Sequence, residues 1–197
     1  NIHSRTTPLV LKGAIKHVKK EIHQSHIIIG GEGISIHDKD YTALVLLNNL
    51  LGGPSMNSRL NLNIRERHGI AYQIESFTNS YNDSGIWGIY AGTDIETIDR
   101  CHKLIMKELM LLRDKKLGVL QFSKAKTQLL GQMALAHESN VNMMTSLGKS
   151  MLIYNRVDTF KEIVTKVDSL KISQIQELAQ QIFSSHEMSE LRYIPLD

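Results

Sequence analysis

The chain has 197 residues, with 23 basic and 20 acidic side chains, a formal net charge of +3 and 42% hydrophobic content. This is an ordinary globular composition: the single Cys101 excludes an internal disulfide framework, and no long basic block is present to follow a phosphate backbone. No run of 18 apolar residues occurs, so neither a transmembrane helix nor a membrane or nucleic-acid partner is expected.

Residues 1–13 read as a linker, polar through Ser4, Arg5, Thr6 and Thr7 and broken by Pro8. The chain opens at Asn1 with neither an initiator Met nor a signal-peptide pattern, the expectation for a fragment of something longer. Residues 14–197 read as one α+β domain. Two β-branched segments, 14–22 and 26–30, predict strands, the second ending at Gly30-Gly31. Asp40 is placed to cap a helix over 41–51, with Leu44, Val45, Leu47 and Leu51 on its apolar face, and Gly52-Gly53-Pro54 stops it. A shorter helix starts at Asn57 or Ser58 and runs to Arg67, where Gly69 ends it. Segments 71–80 and 85–93 predict a hairpin around Tyr81-Asn82-Asp83-Ser84. Asp94 is placed to cap a long helix to about Arg113. Helices follow over 119–137 and 141–154, Asp158 and Ser173 open two more, and Ser173 with Gln176 has capping-box spacing. Residues 188–194 predict a last strand. Strands flanking blocks of consecutive helices predict an α+β fold: an antiparallel-rich sheet with helices packed on one face.

Nine histidines invite a search for metal ligands. Neither His-x-x-Glu-His nor His-Glu-x-x-His occurs, and His137-Glu138 and His186-Glu187 each lack the second histidine. His23 and His26, with His3, His17 and His37, make the N-terminal stretch histidine-rich, but no cysteine or carboxylate completes a ligand set, so they read as solvent-facing. The glycine-rich runs Gly30-Gly31-Glu32-Gly33 and Leu51-Gly52-Gly53-Pro54-Ser55 lack the lysine of a phosphate loop. No Gly-x-Ser-x-Gly occurs, and Cys101 has no nucleophile signature. No metal ligand and no catalytic residue is therefore expected in this chain.

One stretch is more informative. Leu50 to Leu60 and Ile64 to Tyr72 predict two helices meeting at a tight glycine turn, the second ending near Arg65. Gly69 then reverses the chain and Tyr72 begins a strand, which brings two hydrogen-bond donors to one helix–strand corner. Paired donors suit a peptide carbonyl or an oxyanion. The structural alternative is that Arg65 pairs with Glu66 or the helix dipole and that Tyr72 is half-buried.

The run resembles the second-domain signature of the insulinase (pitrilysin) family of zinc peptidases, which includes mitochondrial processing peptidase. The matching positions are Leu51-Gly52-Gly53, Ser58-Arg59-Leu60, Arg65-Glu66 and Gly69-Ile70-Ala71-Tyr72. Asp83-Ser84-Gly85, Ala91-Gly92-Thr93-Asp94, Lys124-Ala125-Lys126, Gln128-Leu129 and Glu138-Ser139 also look like the family. The resemblance spans residues 26–196 and is densest from 50 to 94. It implies one of two similar α+β halves facing each other across a chamber, with zinc held by His-x-x-Glu-His in the other half. It further implies that Arg65 and Tyr72 reach substrate, and that the partners are a zinc-bearing N-terminal domain or subunit and a peptide. On this reading the chain is a zinc-free, substrate-binding half that is inactive alone. The alternative is a structural relative resembling the core subunits of respiratory complexes.

Overall fold

A computed structural model of the chain describes residues 13–184 and 188–196. Most of the predicted linker, His3 and the His186-Glu187 pair therefore lie outside the described residues. Strands β1 (Ile15–Lys20), β2 (Ser25–Glu32), β3 (Ala71–Ser80), β4 (Gly85–Thr93) and β5 (Ser189–Pro195) form one sheet in the order β1-β5-β2-β4-β3. Only β1 and β5 run parallel; the other three pairings are antiparallel.

Side-chain alternation gives the sheet two different faces. Ile27 and Ile29 of β2, Ile74 of β3 and Ile89 and Ala91 of β4 are buried. Their neighbours Ile28 and Ile86, at 38% and 45% exposure, stand on the opposite face. Six helices lie on the buried side of the sheet, with α4 packed on α3 and burying none of its own side chains: α1 (Tyr41–Gly52), α2 (Ile98–Asp114), α3 (Val119–His137), α4 (Asn140–Tyr154), α5 (Phe160–Asp168) and α6 (Ile172–Ile182). The predicted α+β class, antiparallel-rich with one-sided helices, is the observed one. Helix α2 presents Ile98, Cys101, Ile105, Leu109 and Leu112 as a buried stripe at helical spacing. Each fully buried aliphatic chain contributes about 1.5–3 kcal/mol. Helix α1 is apolar nearly all round and is enclosed by β3, α3, α5 and α6.

Several local expectations shift. Strand β2 runs through Gly30-Gly31 to Glu32, because Gly30 lies against the β4 backbone: a Cβ there would come within 2.4 Å of the Trp87 carbonyl oxygen. Asp40 occupies the N-cap of α1 without a side-chain cap bond. Helix α2 begins after Thr97 rather than at Asp94, whose carboxylate has another partner. The capping box sits at Thr159–Glu162 on α5. Helix α6 starts one residue before Ser173, with the Lys171 N–H donating to Gln174 Oε1 at 2.9 Å. The short helix after the glycine turn is π-helical over Asn61–Glu66.

Candidate functional site

The corner that carries Arg65 and Tyr72 is assembled from the end of α1, the π-helical segment, the start of β3 and the end of β4. Close packing begins at Leu51-Gly52-Gly53. A Cβ on Gly52 would lie 2.6 Å from the Ser76 nitrogen, and one on Gly53 2.7 Å from the Asn49 carbonyl oxygen. The glycines thus let α1 end directly on β3, where Ser76 Oγ donates to the Asn48 carbonyl at 3.0 Å.

The next residues anchor the π-helical segment rather than reach solvent. Leu60 and Ile64 are fully buried. Ser58 is buried, and its Oγ accepts from Asn61 Nδ2 at 2.9 Å. Arg59 Nε donates to Glu108 Oε2 at 2.8 Å, and Asn63 Nδ2 donates to Glu108 Oε1 at 3.0 Å. Glu108 is itself buried on α2, so both carboxylate oxygens are satisfied inside the fold. The Arg67 N–H reaches back to the Leu62 carbonyl, the wider i−5 bond of a π turn.

Arg65 lies in the last turn of this segment, where its charge suits the C-terminal end of the helix dipole. Its carbonyl accepts from the Gly69 N–H at 2.9 Å, and its exposed guanidinium has no hydrogen-bond or ion-pair partner among the described residues. Gly69 follows with φ +62, the left-handed conformation that turns the chain into β3. Ala71 then pairs with Thr93 and Gln73 with Gly92, which leaves Tyr72 as the extra residue of a β-bulge. A bulge re-aims a side chain. The burial pattern agrees: Ala71 and Ile74 point into the core, and Tyr72 and Gln73 both face out. Tyr72 is 56% exposed, so it is open to a ligand rather than half-buried.

Arg65 and Tyr72 share this corner without bonding to each other. The Tyr72 hydroxyl donates to the Asp94 carboxylate, 3.0 Å from each oxygen, and this hydrogen bond and the adjacent negative charge hold the phenol pKa above its ordinary value. Asp94 and Glu108 are the two residues whose roles sequence reasoning missed. Asp94 is 22 positions from Tyr72, and the pairing depends on a register interrupted by a bulge.

Other candidates carry less. Among the described residues, no three His, Cys, Asp or Glu side chains are grouped so as to hold a metal ion. Cys101 is fully buried, and burial pushes its thiol up to about 11, far from a nucleophilic thiolate. No helix is long and apolar enough to cross a membrane among the described residues. A cavity of about 530 Å³ lies between α1, α3, α4 and α5, lined in part by Tyr41, Met133, His137 and Tyr154, and contains neither Arg65 nor Tyr72.

Comparison with known proteins gives a consistent picture. Residues 3–129 match the family described as "Peptidase M16 inactive domain". An uncharacterized zinc protease, YmxG of Bacillus subtilis, is 34% identical over 167 residues, covering 84% of this chain and 40% of the relative. The alpha subunit of the mitochondrial-processing peptidase of Neurospora crassa is 28% identical over 176 residues, covering 80% of this chain and 30% of the subunit. Among solved structures, the peptidase M16 inactive domain from Pseudomonas fluorescens superposes with a TM-score of 0.85 at 23% identity, covering 98% of this chain and 46% of that one. The chain thus spans less than half the length of these relatives.

Proposed function

This chain belongs to the peptidase M16 inactive-domain family, and from that premise we propose that it is the substrate-binding C-terminal half of a zinc metallopeptidase that hydrolyses peptides or proteins. The catalytic zinc belongs to a partner half, an N-terminal domain or a separate subunit. The donor set of this chain does not suit a zinc ion, because no three ligand-type side chains converge among its described residues. No hydrolytic step therefore runs through it.

The observation that carries the reading is the pair Arg65 and Tyr72, both exposed at one rigidly built corner. Arg65 offers a planar fork of donors with no competing side-chain partner among the described residues, suited to a peptide carbonyl. Tyr72 adds a phenol whose ring direction is set by the bulge and by Asp94. The reading that this is a non-proteolytic structural relative gives no role to two polar side chains exposed at this corner.

Steady-state kinetics on the complete enzyme test the assignment. Tyr72→Phe removes the hydroxyl and little volume; Arg65→Lys keeps the charge and loses the fork. If the pair holds the peptide, each variant raises KM with kcat little changed. A contact made only at the transition state instead lowers kcat by roughly 10²–10³. Wild-type kcat and KM in both variants, with circular dichroism confirming the fold, would reject the site.

A further inference from the structure

Tyr72 has one hydroxyl proton, and that proton is already committed. The hydroxyl donates it to the Asp94 carboxylate, whose two oxygens each lie 3.0 Å from the phenol oxygen. No other described side chain pairs with that carboxylate, and it does not cap α2, whose N-cap is Thr97.

The juxtaposition is set by buried structure rather than by two loose surface chains. Thr93, next to Asp94, is fully buried, pairs with Ala71, and its hydroxyl donates to the Ile70 carbonyl. Thr97 Oγ1 lies 2.6 Å from Thr93 Oγ1 and donates to the Asp94 carbonyl at 3.2 Å. These bonds tie the β4–α2 turn to the residue between Gly69 and Ala71. The bulge then turns Tyr72 out beside that turn.

We infer that Asp94 is a positioning residue that fixes the Tyr72 ring and accepts its hydroxyl hydrogen bond, so that the phenol oxygen meets substrate as the acceptor for a backbone N–H while Arg65 donates to a carbonyl. The inference rests on the substrate-binding reading above and deepens it. An extended peptide presents both N–H and C=O groups, and each loses hydrogen bonds to water when it binds. Arg65 can only donate. A phenol whose proton points at Asp94 keeps its lone pairs for a donor, so the two side chains together match both groups of a peptide strand. The hydrogen bond to Asp94 and its negative charge raise the phenol pKa, which favours the protonated phenol.

The test uses the complete protein, with its zinc-bearing half, and an internally quenched peptide. Asp94→Ala should raise KM by about tenfold, the loss expected from one hydrogen bond of this kind, as Tyr72→Phe does, with kcat nearly unchanged. The double variant should be no worse than either single one. Asp94→Asn keeps an acceptor without the charge, and should fall between wild type and Asp94→Ala. In protein labelled at tyrosine Cζ, the Tyr72 resonance should titrate at lower pH in Asp94→Ala than in wild type. Replacing one substrate N–H at a time by an ester oxygen should reveal one position whose loss is felt by wild type and not by Tyr72→Phe. A lower KM in Asp94→Ala would show that Asp94 competes with substrate for the proton and would overturn the inference. So would an unchanged KM in Asp94→Ala when Tyr72→Phe raises it, and in that case the substrate-binding reading survives. An effectless Tyr72→Phe would overturn the inference, and the substrate-binding reading would fall with it only if Arg65→Lys were effectless too.

Discussion

Gly69 separates backbone strain from packing. Its φ is +62, yet a Cβ built on it has no heavy atom within 4 Å. Gly69→Ala therefore meets open space and a left-handed backbone, and should cost about 1 kcal/mol in urea denaturation. Gly118 is equally open but has an ordinary φ of −66, so Gly118→Ala should be close to neutral. His102 gives a pH dependence of definite sign. Burial lowers its pKa from 6.5, against the opposing pull of Glu190 3.0 Å away; Arg192, Asp99 and Lys103 contribute smaller effects of both signs. Because the folded pKa is depressed, the unfolded chain binds the proton first as pH falls below 6.5. Stability is thus complete at neutral pH and declines as pH falls from 6.5 toward the folded pKa. His102→Gln should flatten the fall in urea midpoint between pH 7.5 and about pH 5.5. Gly69 was readable as a chain reversal because it follows a helical pattern and precedes a strand. The environment of His102 was not, because Glu190 lies on a strand 88 positions away.

The π-helical segment depends on the pair between the part-buried Arg59 and the buried Glu108. Arg59→Ala leaves the Glu108 carboxylate buried with only Asn63 as a partner, and should cost about 3 kcal/mol in thermal or urea unfolding. Arg59→Met combined with Glu108→Leu should recover most of that loss, since no charge is then left buried. Helix α1, the long α2 and the β3–β4 hairpin were legible because apolar residues recur at the helical or strand period, or because turn residues separate them. The π form was not legible: one extra residue per turn leaves no periodic signature over six residues. The extension of β2 past Gly30-Gly31 was hidden for a related reason. Glycine pairs commonly end strands, and only the closeness of the Trp87 backbone explains why this one continues. Asp94 was read as a helix cap because Asp before a helical pattern usually is one. Its actual role depends on a partner brought near by the sheet.

At the scale of the whole molecule, the purified chain alone should hold no stoichiometric zinc after dialysis and should not cleave casein or a quenched peptide in a chelator-sensitive way. Metal analysis and a fluorescence assay check this, and adding the zinc-bearing half should restore cleavage if the halves reassemble. A zinc peptidase needs its metal to activate water and a carboxylate to move protons, and no ligand set for that metal is found among the described residues. Helix α4 leads to a different kind of consequence. It buries none of its side chains, leaves Leu152 89% exposed, and contributes Leu147 and Tyr154 to the lining of the 530 Å³ cavity. A shutter that contributes so little to the core can swing or fray at small free-energy cost, while the sheet corner, closed by Thr93, Arg59 and Glu108, keeps its shape. Few buried contacts hold α4, whereas buried side chains close the sheet corner, so amide hydrogen exchange should be faster along α4 than along β3 and β4.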